Sequence, residues 1–184
     1  MRISIVFFLI VCLFSCSYNY TPKPRAYYKV DLPEKKYERI KVDCNFSFEK
    51  PLYTILKEKK KNCFFNLEFP QQNAILYITY LPIKNNLIEH IEESRNLAYQ
   101  HHLMADAISE DEYTNDDEKV YGFLYDYEGA TATSTQFFLT DSVNHFFRGA
   151  LYFNTEIIDS LLPINNFLKD DVVHIIESFK WKNQ

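Results

Sequence analysis

Asp141, His145 and Arg148 crowd into one short stretch with Gln136 just upstream, and side chains of these types can move a proton or grip a carboxylate. An arginine's planar fork binds a carboxylate through two parallel hydrogen bonds. Asp141 and His145 could in principle form an acid–base pair, but their proximity in sequence supplies no third group to orient the imidazole for hydrolysis. All four residues lie on or beside two expected strands, where cross-strand neighbours on one face can converge. Gln136, Asp141, His145 and Arg148 are therefore read as a candidate partner-docking or small-ligand surface. The alternative is a set of charges decorating a half-exposed sheet.

Other templates for chemistry fail for physical reasons. Gly122, Gly129 and Gly149 are the only glycines, too few and too scattered for a loop that cradles phosphate. No Gly-x-Ser-x-Gly elbow occurs, and Ser134 sits among the alternating hydroxyls of Thr131 to Thr135, which suit the exposed side of a strand. His101 and His102 are adjacent, so on a helix they diverge and cannot chelate as an i, i+4 pair. With His90 they read as solvent-facing or helix-end histidines. Glu110, Asp111, Glu112, Asp116, Asp117 and Glu118 form an acidic cluster without the glycine and ligand spacing of an EF-hand. That cluster reads as a solvated hairpin loop, and no metal, cofactor or enzymatic activity is expected.

The cysteines carry more information. Arg2, an unbroken apolar run from Ile5 to Phe14, Ser15 and Cys16 follow one another. This has the charged start, short apolar segment and small residue of a secretory signal, and the run is too short to span a bilayer. Leu13-Phe14-Ser15-Cys16 resembles a lipobox, with Phe14 where a smaller residue is usual. Lipidation of Cys16 would make it the mature N-terminus, and two or more acyl chains, at about 0.8 kcal/mol per methylene, hold a protein on a membrane. Cys12 would leave with residues 1–15, so Cys44 and Cys63 remain as an even pair bound for an oxidising compartment. A disulfide is expected there rather than a metal site, which would lack ligands.

Elements must then position these residues. From Ser17 to about Arg39, Pro22, Pro24 and Pro33 interrupt any helix, and 16–40 reads as an extended tether. Residues 41–182 read as one globular domain. Short strands are expected at Cys44 to Phe48, Leu52 to Leu56, Phe64 to Phe69 and Ile75 to Leu81, with the basic run Lys57 to Lys61 as a loop. A helix from Asn86 to Leu103 follows, capped by Asn85 or Asn86. Strands at Ala105 to Ser109, Lys119 to Tyr127, Thr131 to Leu139 and His145 to Phe153 come next, joined by turns that favour antiparallel hairpins. Ile164, Phe167, Leu168, Val172, Ile175, Ile176 and Phe179 then recur at helical spacing, with Pro163 in the first turn. The sum is an α+β domain: an antiparallel sheet of six to seven strands with two helices on one face. The element order resembles the PsbP-like fold.

Composition bounds the partners. Net charge is −5, or −6 once Arg2 is removed, which disfavours nucleic acid and anionic lipid. Sixteen phenylalanines and fourteen tyrosines could build a core or line a cleft, so a periplasmic binding module for a small molecule or peptide stays open beside a docking role.

The strings Thr21-Pro22-Lys23-Pro24, Asp43-Cys44 with Phe46 and Phe48, and Asn66-Leu67-Glu68-Phe69-Pro70 resemble the gliding-motility lipoprotein GldD family of Bacteroidota. So do Glu93-Ser94-Arg95, Ala105-Asp106-Ala107-Ile108, Val120-Tyr121-Gly122, Gln136 through Ser142, Arg148-Gly149, Leu151-Tyr152-Phe153, Phe179 and Trp181. The resemblance covers nearly the whole chain behind Cys16. It implies a non-enzymatic, membrane-anchored lipoprotein required for gliding motility and linked to type IX secretion. It also implies a periplasm-facing location, with the outer membrane favoured, and other motility or secretion proteins as partners.

Overall fold

The computed structural model describes residues 30–60, 63–100, 105–129, 131–155, 157 and 159–182. Three short strands open the chain: β1 (Tyr37–Arg39), β2 (Phe46–Ser47) and β3 (Glu49–Pro51). β4 (Ile55–Lys60), β5 (Phe64–Phe69) and β6 (Ala74–Pro82) form a meander, and α1 (Leu87–Tyr99) carries the chain across the sheet to its far edge. β7 (Ala107–Asn115), β8 (Val120–Glu128), β9 (Thr133–Thr140) and β10 (His145–Phe153) then fold back until β10 pairs with β6. The result is a seven-stranded antiparallel sheet in the order β4-β5-β6-β10-β9-β8-β7. A 3-10 turn, α2 (Leu162–Glu177) and β11 (Lys180–Trp181) close the chain. Two small sheets, β1 with β3 and β2 with β11, complete the α+β architecture.

Strand periodicity decides which helix meets which face. Side chains alternate along β9 and β10. Phe137, Leu139, Phe147 and Leu151 pack with Leu168, Val172, Ile175 and Ile176 of α2. Phe138 and Phe146, one residue out of phase, pack instead with Ala98, Leu87 and Ile91 of α1. The two helices therefore lie on opposite faces, correcting the expectation of one shared face. Because both sides are covered, all eight residues of β9 are buried, and the hydroxyls of Thr131 to Thr135 are interior rather than exposed. They are satisfied locally: Thr133 donates to the Leu151 carbonyl, Thr135 to that of Tyr125, and Ser134 to Asn165 of α2.

Gly149 sits where the sheet needs a gap. A Cβ there would come within 2.3 Å of the Phe137 ring, so the absent side chain lets that ring lie over β10.

Two expected loops are strands. Lys57 and Glu58 belong to edge strand β4, and Glu110 to Glu112 to the opposite edge strand β7, leaving only Asp116 to Lys119 as the turn. Charged side chains on unpaired edges discourage edge-to-edge association. The packed chain also starts earlier than residue 41. Lys35 Nζ lies 3.0 Å from Asp170 and 3.5 Å from Asp171, the Tyr37 hydroxyl donates to Asp171 at 2.9 Å, and Ile40 is buried.

Candidate functional site: a polar cavity beneath the first helix

β10 and β9 run antiparallel with Arg148 opposite Phe138 and Ala150 opposite Gln136. Arg148 and Gln136 are thus diagonal neighbours on the α1 face, and Arg148 Nη2 donates to Gln136 Oε1. Of the four residues expected to converge, these two meet. Gln136 is almost wholly buried and Arg148 largely so. Burial pulls the Arg148 pKa below its ordinary value, against the opposing pull of Tyr152, Tyr127 and Glu93.

Above them α1 presents His90, Glu93, Ser94 and Leu97, the i, i+3, i+4 and i+7 positions of one stripe. With Thr79 and Leu81 of β6 and Phe146 and Arg148 of β10 they enclose a cavity of about 180 Å³. His90 is half-buried with its ring 5.3 Å from that of Phe146, not solvent-facing as expected. Among the described residues His90 Nε2, Arg148 Nε and Gln136 Nε2 are buried with no hydrogen-bond partner. His90 and Ser94 are site residues that the sequence pattern did not single out. The signal was available: a polar stripe at helical spacing on a helix that must cover a sheet.

Asp141 and His145 do not join this group. Asp141 Oδ1 accepts the backbone N–H groups of Val143, Asn144 and His145 at 3.0, 2.8 and 2.8 Å. Desolvation opposes ionisation of this carboxyl, but the His145, Val143 and Asn144 N–H donors outweigh it and hold the pKa below the ordinary value. The residue is a turn-builder between β9 and β10. His145 projects to the other face, where its ring stacks on Trp181 with centroids 5.1 Å apart and its Nδ1 meets the Tyr80 hydroxyl at 2.7 Å. Asp141 touches His145 through the backbone and not through the imidazole, so the two make no acid–base pair.

A larger cleft of about 900 Å³ lies at the start of α2, bordered by Ile157, Leu162, Asn165 and Lys169. Two of its polar side chains have internal partners: Asn165 accepts from Ser134, and Lys169 pairs with Asp126 at 3.4 Å. The remaining expected residues lie elsewhere. Cys44 and Cys63 form a disulfide with Cα atoms 6.0 Å apart. Cys16, His101 and His102 lie outside the described residues.

Compared with protein families, residues 17–181 match the family described as gliding motility lipoprotein GldD. The chain belongs to that family. The match spans both helices, the whole seven-stranded sheet, the disulfide and the cavity. No curated protein matches the chain. GldD membership makes this a lipoprotein associated with gliding motility, and the family is described by that role and not by a reaction. Among the described residues no group of histidine, cysteine and acidic side chains is arranged to hold a metal ion, and no helix is long and apolar enough to cross a membrane.

Proposed function

We propose that this protein is a membrane-tethered, non-enzymatic docking component of the gliding and type IX secretion machinery. The observation that carries the reading is the family match, which begins directly behind Cys16 and runs through the last strand. In this reading residues 1–15 are a signal peptide removed on export, and lipid on Cys16 holds the chain at a membrane. The proline-dotted segment behind it sets the reach, and the disulfide-stapled domain faces the periplasm, on the outer membrane. Partners are other motility or secretion proteins. At most about 3.3 to 3.6 Å per residue, the residues between Cys16 and Lys35 allow a stand-off of roughly 60 Å when fully extended.

Cys16→Ala with membrane fractionation tests the anchor, and in-cell crosslinking of the wild type from a photoreactive group at the exposed Tyr77 tests docking. The expected results are a shift of the variant to the soluble fraction and crosslinks to motility or secretion proteins. Retention of the variant on membranes would refute the lipid anchor. Normal secretion on deletion of the protein would refute the scaffold role.

A further inference from the structure

The cavity beneath α1 holds the Arg148 guanidinium, and the one acid in its lining, Glu93, is exposed and makes no ion pair with it. Three arginines occur among the described residues. Arg39 pairs with Glu49 at 3.1 Å and Arg95 lies 3.8 Å from Glu110, both near the surface. Arg148 is the most buried of the three, yet among the described residues its side chain donates only to a neutral amide. A largely buried charge without a counter-ion is costly, and hydrogen bonds from a guanidinium to an anion are roughly twice as strong as neutral ones. Two more orphaned nitrogens, on Gln136 and His90, lie on the same side of the sheet.

We propose that this cavity binds one carboxylate group, carried by a small organic acid or by the C-terminus of a peptide. Arg148 supplies the charge, Ser94 and Thr79 add hydroxyls, and Leu81, Leu97 and Phe146 accept a short apolar body. The volume equals about six waters at ~30 Å³ each, below the ~300 Å³ of typical drug-sized pockets. Glu93 is exposed at the cavity edge. Because Glu93 is screened by solvent, Arg148 can still pair with a monoanion, while the second charge of a phosphate dianion would have no cation to meet. This ligand chemistry goes beyond the docking reading and stands or falls separately, because it is tested by titration in vitro.

The full chain, purified in detergent, is titrated with butyrate, butyramide, trialanine and trialanine amide, following the amide resonances of Thr79, Ser94 and Leu97 by NMR. The acids are expected to shift these resonances saturably and the amides to leave them in place. Tighter binding of trialanine assigns the site to a chain terminus, and tighter binding of butyrate to a free acid. Arg148→Gln is expected to weaken binding at least about tenfold through loss of the charge-assisted bonds. Glu93→Gln, an exposed and fold-neutral change, is expected to tighten it about threefold by removing the like charge. Equal shifts from butyrate and butyramide, no shift from either acid, or an affinity unchanged in Glu93→Gln would overturn the proposal.

Discussion

Asp171 has no exposed side-chain surface, yet it is not alone in the interior. The hydroxyls of Tyr37 and Tyr53 both donate to it, and Lys35 brings an ammonium to 3.5 Å. Burial and then the bond to Asp171 push both phenols above their ordinary pKa, so they remain donors at any physiological pH. Asp171→Ala would orphan both phenols, and urea unfolding should register a loss of roughly 2–4 kcal/mol. Asp141 predicts a pH effect instead. Its folded pKa lies below the unfolded value of about 3.9, so its contribution is complete above about pH 4 and is lost as pH falls through the folded value. Because the group is partly exposed, solvent screening keeps this to about 1 kcal/mol. In Asp141→Ala, stability measured by urea unfolding at pH 7 should drop by that amount, and the decline of stability below pH 4 should become shallower.

Among the elements, those with an undiluted period were legible. β10 falls at His145–Phe153 as the alternation demands, and α2 carries its buried stripe from Leu168 to Ile176. Edge strands were only partly legible: those expected at Leu52 to Leu56 and Ala105 to Ser109 overlap the starts of β4 and β7, whose charged continuations owe their strand state to pairing with β5 and β8. The opposite placement of the helices was equally hidden. It depends on α1 serving as the crossover from β6 to β7, a topological fact that no local pattern encodes. The cavity was half legible: Gln136 and Arg148 stood out as polar residues on strands, but His90 read as a solvent-facing or helix-end histidine and Ser94 carried no expected role. The disulfide was legible by counting and is an element-scale staple, closing a loop with a separation of 19 residues. On the chain-entropy model its removal in Cys44→Ser/Cys63→Ser should cost about 3 kcal/mol, read from the shift of the urea midpoint.

At the scale of the molecule, the packing of the described residues reaches back to Lys35. A chain lacking residues 1–34 should keep the denaturation midpoint of the longer protein. One lacking 1–40 should lose several degrees, because it gives up β1, the buried Ile40 and both N-terminal partners of Asp171. Differential scanning calorimetry of the two separates these outcomes. The same geometry fixes how a pull on the lipid would travel. Tension entering at Lys35 loads the latch on α2 first, and if that segment peels away the next covalent junction is Cys44. From there the load crosses the disulfide to Cys63 and passes into β5, so the intervening loop is never stretched. At ~3.3 to 3.6 Å per residue about 60 Å of slack is withheld, and the sheet that carries the cavity receives force without first unravelling β2, β3 and β4.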